Sequence, residues 1–157
     1  MREKVYIETT IVSYLTAKPS KDLIIAAHQR LTQEWWKNRR SQFDSYVSQL
    51  VLREASAGDQ HAASERLKVL AQLPVLEVTE ESLELARELM NKKALPQKAE
   101  LDALHISIAT VQGMHYLLTW NCKHIANAQM QPAISATCLS SGYEPPIICT
   151  PEELMGA

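Results

Sequence analysis

Short apolar runs alternate with amphipathic stretches along this chain. Five runs have the length and the aliphatic or aromatic content of β-strands: residues 5–7, 43–47, 75–78, 116–119 and 147–149. Between them, apolar residues recur at spacings of three and four, which predicts helices that each pack one apolar stripe on a sheet. The three stripes are Ile24, Ala27, Leu31 and Trp35; Leu83, Ala86 and Met90; and Met130, Ile134 and Cys138.

One stretch, residues 101–111, is apolar almost all round and predicts a helix that is buried on most sides. Ser20 and Thr79 precede helical patterns as candidate N-caps, and the run from Thr150 to Glu153 forms a capping box that predicts a short final helix. Strands that alternate with helices predict a three-layer α/β/α fold. We therefore expect one domain over residues 1–157, with helices flanking a five-stranded, mostly parallel sheet.

Composition narrows the possible functions. The chain has 157 residues, of which 46% are hydrophobic, enough for one substantial core. It has no apolar stretch of about 18 residues and no signal-peptide pattern, so we expect a cytoplasmic protein without a membrane helix. Three cysteines without C-x-x-C spacing predict reduced thiols rather than a zinc site. The absence of glycine-rich phosphate motifs disfavours dinucleotides and ATP, and the net charge of −2 neither suggests nor excludes RNA.

Four oxygen-bearing side chains are expected at one edge of the sheet. Glu8 follows the first strand, Asn121 follows the fourth, and Glu54 lies shortly after the second. Asp102 lies at the start of the helix that leads into the fourth strand, and the N-terminus of such a helix meets the carboxyl ends of the strands. Carboxylate and amide oxygens suit Mg²⁺ or Mn²⁺, and such an ion assists phosphodiester hydrolysis. The alternative is that Glu8 and Asp102 only cap helices.

Three segments resemble the motifs of PIN domains. Residues 5–15 (VYIETTIVSYL) resemble the opening motif, a strand that ends in an acid followed by Thr or Ser and a short apolar helix. Residues 101–109 (LDALHISIA) with 116–121 (YLLTWN) resemble the second motif, an Asp-Ala helix leading to a strand that closes in Thr and an acidic or amide residue. Residues 48–55 (SQLVLREA) are similar to the segment that carries the family's glutamate. The resemblance extends from residue 5 to about residue 127.

The resemblance implies a Mg²⁺- or Mn²⁺-dependent ribonuclease, similar to the VapC toxins of type II toxin–antitoxin modules. It implies that Glu8, Glu54 and Asp102 are metal ligands, with Asn121 in the fourth acidic position. Supporting roles fall to Thr9 or Thr119, and the implied partners are a second copy of the chain, an RNA substrate and an antitoxin. The first acid is usually Asp and the fourth is commonly charged, so Glu8 and Asn121 depart from the family pattern.

Several other residues have two readings. The cations Lys37, Arg39 and Arg40 follow two tryptophans, as in a single-strand-binding surface, but cations are also ordinary at a helix C-terminus, and the second reading is favoured. His105 lies one turn after Asp102 and reads as a hydrogen-bonded core histidine that is within reach of the pocket.

The remaining histidines near the fourth strand and one cysteine have plainer readings. His115 and His124 have no partner at a readable spacing and are predicted to be surface residues. Nothing near Cys122 predicts a reactive thiol.

Three functional hypotheses remain open at this point. The first is a metal-dependent endoribonuclease. The second is a PIN fold with a weakened acidic site that binds RNA or a protein without cutting. The third, a phosphoryl-transfer domain of the receiver or haloacid-dehalogenase type, ranks last because no Asp-x-Asp follows the first strand.

Overall fold

Five parallel strands form the central sheet, as seen in a computed structural model that describes residues 1–157. The strands lie in the order β3-β2-β1-β4-β5, and every neighbouring pair is parallel. Seven helices accompany them. The elements in chain order are β1 (Lys4–Ile7), α1 (Thr9–Thr16), α2 (Leu23–Asn38), β2 (Asp44–Ser48), α3 (Gln49–Ala55), α4 (Gln60–Leu70), β3 (Val75–Leu76), α5 (Glu80–Asn91), α6 (Glu100–Val111), β4 (Tyr116–Leu118), α7 (Gln131–Ser140) and β5 (Ile147–Cys149).

The strand order reverses next to β1. From β1 the chain builds outward to β2 and β3, and it then returns to the other side of β1 to form β4 and β5. In open parallel sheets, ligands bind beyond the carboxyl ends of the strands at such a reversal. The register pairs Ile7 with Leu118, so the residues that follow β1 and β4 emerge side by side at this edge. The predicted α/β class and parallel sheet are confirmed.

The helices form two groups. Helix α1 contacts α2, α3 and α4, whereas α5 contacts α6 and α7. Both faces of β1 are covered, since Val5, Tyr6 and Ile7 are all fully buried. Helix α6 is buried at Ala103 and from His105 to Thr110, which confirms the prediction of a helix enclosed on most sides. Two residues of the candidate site, Asp102 and His105, lie on this helix.

The caps are only partly as predicted. Thr79 caps α5, because its side chain accepts a hydrogen bond from the backbone N–H of Ser82. The prediction for Ser20 is wrong: Asp22 caps α2, and its carboxylate accepts from Ile24 N and Ile25 N. Thr150 and Glu153 make the reciprocal bonds of a capping box, but one turn follows instead of a helix.

The predicted apolar stripe of α2 is wrong in its first half. Trp35 is fully buried, but Ile24 and Ala27 face solvent, and the buried positions of the first turns are Gln29 and Thr32. The two polar residues are buried because each has hydrogen-bond partners there.

The other two stripes fare differently. On α5 the fully buried apolar residues are Leu85 and Leu89, whereas the predicted Leu83, Ala86 and Met90 lie at the margin of the contact. On α7 the predicted Ile134 and Cys138 are buried. None of the helices has both the length and the apolar character that crossing a bilayer requires.

Candidate metal centre

Glu8 directly follows β1 and lies in the crevice where the strand order reverses. Only 4% of its surface is exposed. Its Oε1 accepts three hydrogen bonds: from Thr10 N at 3.1 Å, from Thr10 Oγ1 at 2.5 Å and from Thr119 Oγ1 at 2.7 Å. Glu8 is also the N-cap of α1. The capping interpretation therefore holds for this residue, and it does not exclude a role as a metal ligand. Its Oε2 makes no hydrogen bond to the protein.

Glu54 approaches the same crevice from the end of α3. Its Oε1 accepts from Thr9 Oγ1 at 2.5 Å and lies 2.7 Å from His105 Nε2, while its Oε2 makes no protein hydrogen bond. Burial raises the pKa of this carboxyl, but the hydrogen bond and electrostatic attraction of His105 and the hydrogen bond from Thr9 outweigh burial. The net result is a pKa below the usual range for Glu, which keeps Glu54 ionised.

Glu8, Glu54 and His105 form a compact group. One potential ligand atom from each residue lies within 4.8 Å of the others. Two carboxylates at this separation repel each other, and a divalent cation that bridges them relieves that repulsion. The two carboxylate oxygens without protein partners provide donors for such an ion. The residues present therefore fit a divalent cation.

Asp102 and Asn121 face each other beside this group. Asp102 Oδ1 accepts from Asn121 Nδ2 at 3.0 Å, and its Oδ2 lies 2.9 Å from His124 Nδ1. Asn121 Oδ1 accepts from His124 N at 3.0 Å. Both oxygens of Asp102 and the amide oxygen of Asn121 are thus engaged with protein partners. A role for these two residues in holding metal stays a prediction.

A continuous series of hydrogen bonds connects the two halves of the crevice. Thr119 Oγ1 donates to Glu8 and accepts from Asn121 N at 2.9 Å, and Asn121 in turn donates to Asp102. The structure therefore brings all four predicted residues to one edge of the sheet. Asp102 nevertheless lies outside the compact group of possible ligands, in which the third member is His105.

Two residues of the crevice were not predicted from the sequence. Thr10 donates to Glu8 and accepts from Trp120 N at 2.8 Å, a role expected only for Thr9 or Thr119. The prediction that His124 is a surface residue is wrong, because its side chain is 13% exposed and contacts Asp102. His115 is exposed as predicted. A second hydroxyl, two residues after Glu8, was the available signal for Thr10, whereas His124 gave none.

The basic residues proposed as RNA contacts lie elsewhere. Lys37 is in the last turn of α2, and Arg39 and Arg40 follow it just before β2 begins, so all three are at the opposite edge of the sheet from Glu8. The Arg40 guanidinium lies over the ring of Trp36 at 4.7 Å. This placement supports the reading as helix-end cations, and contact with RNA stays a prediction.

Residues 5–121 match the profile of the PIN domain family. The chain belongs to the PIN domain family. A search of the curated proteins found no significant match to this PIN domain. Among solved structures, it is similar to VapC20 of Mycobacterium tuberculosis, a sarcin–ricin loop cleaving toxin, with a TM-score of 0.60 and 16% identity over 90% of this chain and 99% of that one.

A second similar structure is VapBC2 from Rickettsia felis, bound to a DNA fragment from its promoter. The TM-score is 0.61 with 16% identity, and the match covers 94% of this chain and 98% of that one. At such low identity these likenesses concern the fold. They confirm that this PIN domain resembles VapC toxins in architecture.

Proposed function

We propose that this PIN domain is a Mg²⁺- or Mn²⁺-dependent endoribonuclease, a VapC-like toxin that hydrolyses RNA phosphodiesters. The observation that carries the proposal is the close approach of the carboxylates of Glu8 and Glu54 at the carboxyl edge of the sheet. The bound ion would supply positive charge that activates water and stabilises charge developing on the phosphate. Glu8 and Glu54 would hold the ion. Asp102 and Asn121, the other two predicted ligands, are connected to Glu8 by hydrogen bonds through Thr119.

The test is RNA cleavage by the purified protein in the presence of Mn²⁺. Suitable substrates are structured RNAs, among them a sarcin–ricin loop hairpin, because the similar VapC20 cleaves that loop. Wild type should cut at least one RNA, a chelator should stop the reaction, and Glu8→Gln and Asp102→Asn should each reduce it by two orders of magnitude or more. Glu144→Gln, at an exposed acid outside the crevice, is the matched control. Cleavage that survives Asp102→Asn would contradict the mechanism.

A non-cutting binding module is the second candidate. Asn121 brings no charge to the fourth acidic position, and both oxygens of Asp102 are already engaged by Asn121 and His124. Metal affinity depends on the charge of the ligands, so this arrangement favours a weaker site. The binding module predicts RNA or protein binding that is unchanged by chelator, together with no cleavage under any metal.

Partners follow from the resemblance to VapC toxins. We propose that the protein acts in the cytoplasm as a homodimer and is silenced by an antitoxin. Support comes from the first turn of α2, where Leu23, Ile24 and Ile25 are 86%, 70% and 38% exposed. Adjacent exposed aliphatic side chains are typical of protein interfaces. Sedimentation of the purified chain, alone and with the product of a neighbouring reading frame, tests both partners.

A further inference from the structure

His105 lies beside the candidate metal centre, and the proposed chemistry gives it no task. Its side chain is 1% exposed. Both ring nitrogens have protein partners: Nε2 lies 2.7 Å from Glu54 Oε1, and Nδ1 lies 2.7 Å from the Tyr6 hydroxyl. A buried imidazole that is held at both nitrogens has one orientation. Any effect of His105 on the metal centre must therefore act through its hydrogen bonds to Glu54 and Tyr6.

A series of hydroxyl groups supports His105 from behind. The Tyr6 hydroxyl lies 2.8 Å from Ser48 Oγ, and Ser48 Oγ accepts from the backbone N–H of Val51 at 3.2 Å. The Ser48 hydroxyl has no hydrogen-bond acceptor other than Tyr6, so Ser48 donates to Tyr6, and the Tyr6 hydrogen is then available for Nδ1.

The direction of these bonds assigns the tautomer of the ring. With Nδ1 accepting from Tyr6, the imidazole hydrogen is on Nε2 and is donated to Glu54 Oε1. We propose that His105 is a positioning residue of the metal centre, which fixes Glu54 through the buried series Ser48–Tyr6–His105 and leaves Oε2 for the cation. The inference rests on the proposed function because it takes Glu54 as a metal ligand.

Glu54 needs such support because of its place in the fold. It is the second-last residue of α3, a helix of seven residues, and its side chain is 28% exposed. Without His105, the hydrogen bond from Thr9 would be the only one left to the Glu54 side chain. Outer partners that orient ligands typically contribute about 10–100-fold to metal affinity. The series ties the carboxylate to three other elements: β1, the end of β2 and α6.

The first experiment measures Mn²⁺ affinity from the electron paramagnetic resonance signal of the free ion, without RNA. His105→Leu removes the donor and should weaken binding about 10–100-fold. His105→Gln presents an amide N–H near the position of Nε2 and should restore most of that loss. His61→Leu, at an exposed histidine of α4 without a hydrogen-bonded side chain, is the matched control and should leave affinity unchanged. Equal affinities of His105→Leu and wild type would overturn the inference.

The second experiment reads the tautomer directly. Nitrogen-15 NMR of the metal-free wild type should show the His105 hydrogen on Nε2. Tyr6→Phe keeps the ring volume but removes the hydroxyl donor to Nδ1, so the Nδ1 resonance should shift. The hydrogen should stay on Nε2, because Glu54 Oε1 still accepts it. An Nε2 without hydrogen in the wild type would overturn the inference, whether or not the His105→Leu variant folds.

These measurements separate this inference from the proposed function. A wild type that binds Mn²⁺ with the expected dependence on His105 but cuts no RNA would contradict the nuclease and support the positioning role. A wild type that binds no Mn²⁺ would contradict both. Pulsed electron paramagnetic resonance adds a further outcome: direct coupling between Mn²⁺ and a His105 nitrogen would make the residue a ligand and overturn its positioning role.

Discussion

Two threonine hydroxyls connect Glu8 to the segment that follows β4. Thr10 and Thr119 each donate to Glu8 Oε1, and each accepts a backbone N–H from that segment, from Trp120 and Asn121 respectively. Through these hydroxyls, one oxygen of Glu8 holds the start of α1 against the segment that follows β4. A hydroxyl that both donates and accepts cannot be replaced by a methyl group without leaving a buried group unpaired.

We expect Thr119→Val to destabilise the metal-free protein by about 1.5–3 kcal/mol, the usual value of a hydrogen bond to a charged group. Thr119 is fully buried, and the substitution keeps its shape while removing the donor to Glu8. Urea unfolding measures the change. The matched control is Thr16→Val, whose hydroxyl only donates to Val12 O within α1. Equal losses in the free energy of unfolding would show that the hydrogen bond to Glu8 contributes no more than the bond within α1.

The acids of the crevice could be predicted from the sequence, but most of their partners could not. Glu8 and Asn121 follow strands and Asp102 begins a helix, so topology alone brings them to one edge. His124 contacts Asp102 because the chain turns back after β4, where Asn121 O accepts from Ile125 N and Ala126 N. No periodicity encodes that turn. His105 was within reach of the pocket, but its hydrogen bonds depend on the orientation of the ring.

Alkaline pH should destabilise the protein through Cys149. Burial, followed by the charge of Glu153, raises the pKa of this thiol from 9.0 to about 12. The unfolded chain ionises it near the lower value, so its contribution to stability is complete below that pH and is lost as the pH rises towards the upper one. In urea unfolding, the advantage of wild type over Cys149→Ala should shrink by up to about 1.4 kcal/mol per pH unit within this window. A constant difference would contradict the assignment.

Helix α2 shows how a stripe prediction fails. Its apolar residues Leu23, Ile24 and Ile25 face solvent, whereas Gln29 and Thr32 are buried. Gln29 accepts from Ser20 N and donates to Lys18 O, so it holds the loop between α1 and α2. Thr32 accepts from Trp120 Nε1. A hydropathy pattern places polar side chains at the surface, because it contains no information about hydrogen-bond partners that are brought close by folding.

The start of α2 offers a test at a single position. Asp22 Oδ1 accepts from Ile24 N and Ile25 N, so Asp22→Ala should cost about 0.5–2 kcal/mol of stability. Ser20→Ala should cost less, because Ser20 Oγ accepts only from Asp22 N. Urea unfolding of the two variants decides which residue is the cap. A larger loss for Ser20→Ala would restore the assignment made from the sequence.

The parallel topology makes the candidate centre from distant parts of the chain. Because strands and helices alternate, the sequence sufficed to predict a parallel sheet, and the reversal between β1 and β4 then defines the crevice. The net charge of −2 provides no strong attraction for RNA over the whole molecule. A cation in the crevice would add positive charge where a phosphate would bind, and it would also neutralise the repulsion between Glu8 and Glu54.

Divalent metal should consequently stabilise the entire domain. An ion that binds the folded chain alone, at a hundredfold excess over its Kd, contributes about 2.7 kcal/mol. For a domain of this size, that amounts to a rise in Tm of about 5–10 °C. Calorimetry with Mn²⁺ and then with excess chelator measures the rise and its reversal. Glu8→Gln should lose most of the rise and Glu144→Gln, at an exposed acid outside the crevice, should keep it. An equal rise in both variants would mean that the ion binds elsewhere, because Glu8, unlike Glu144, belongs to the group with Glu54 and His105.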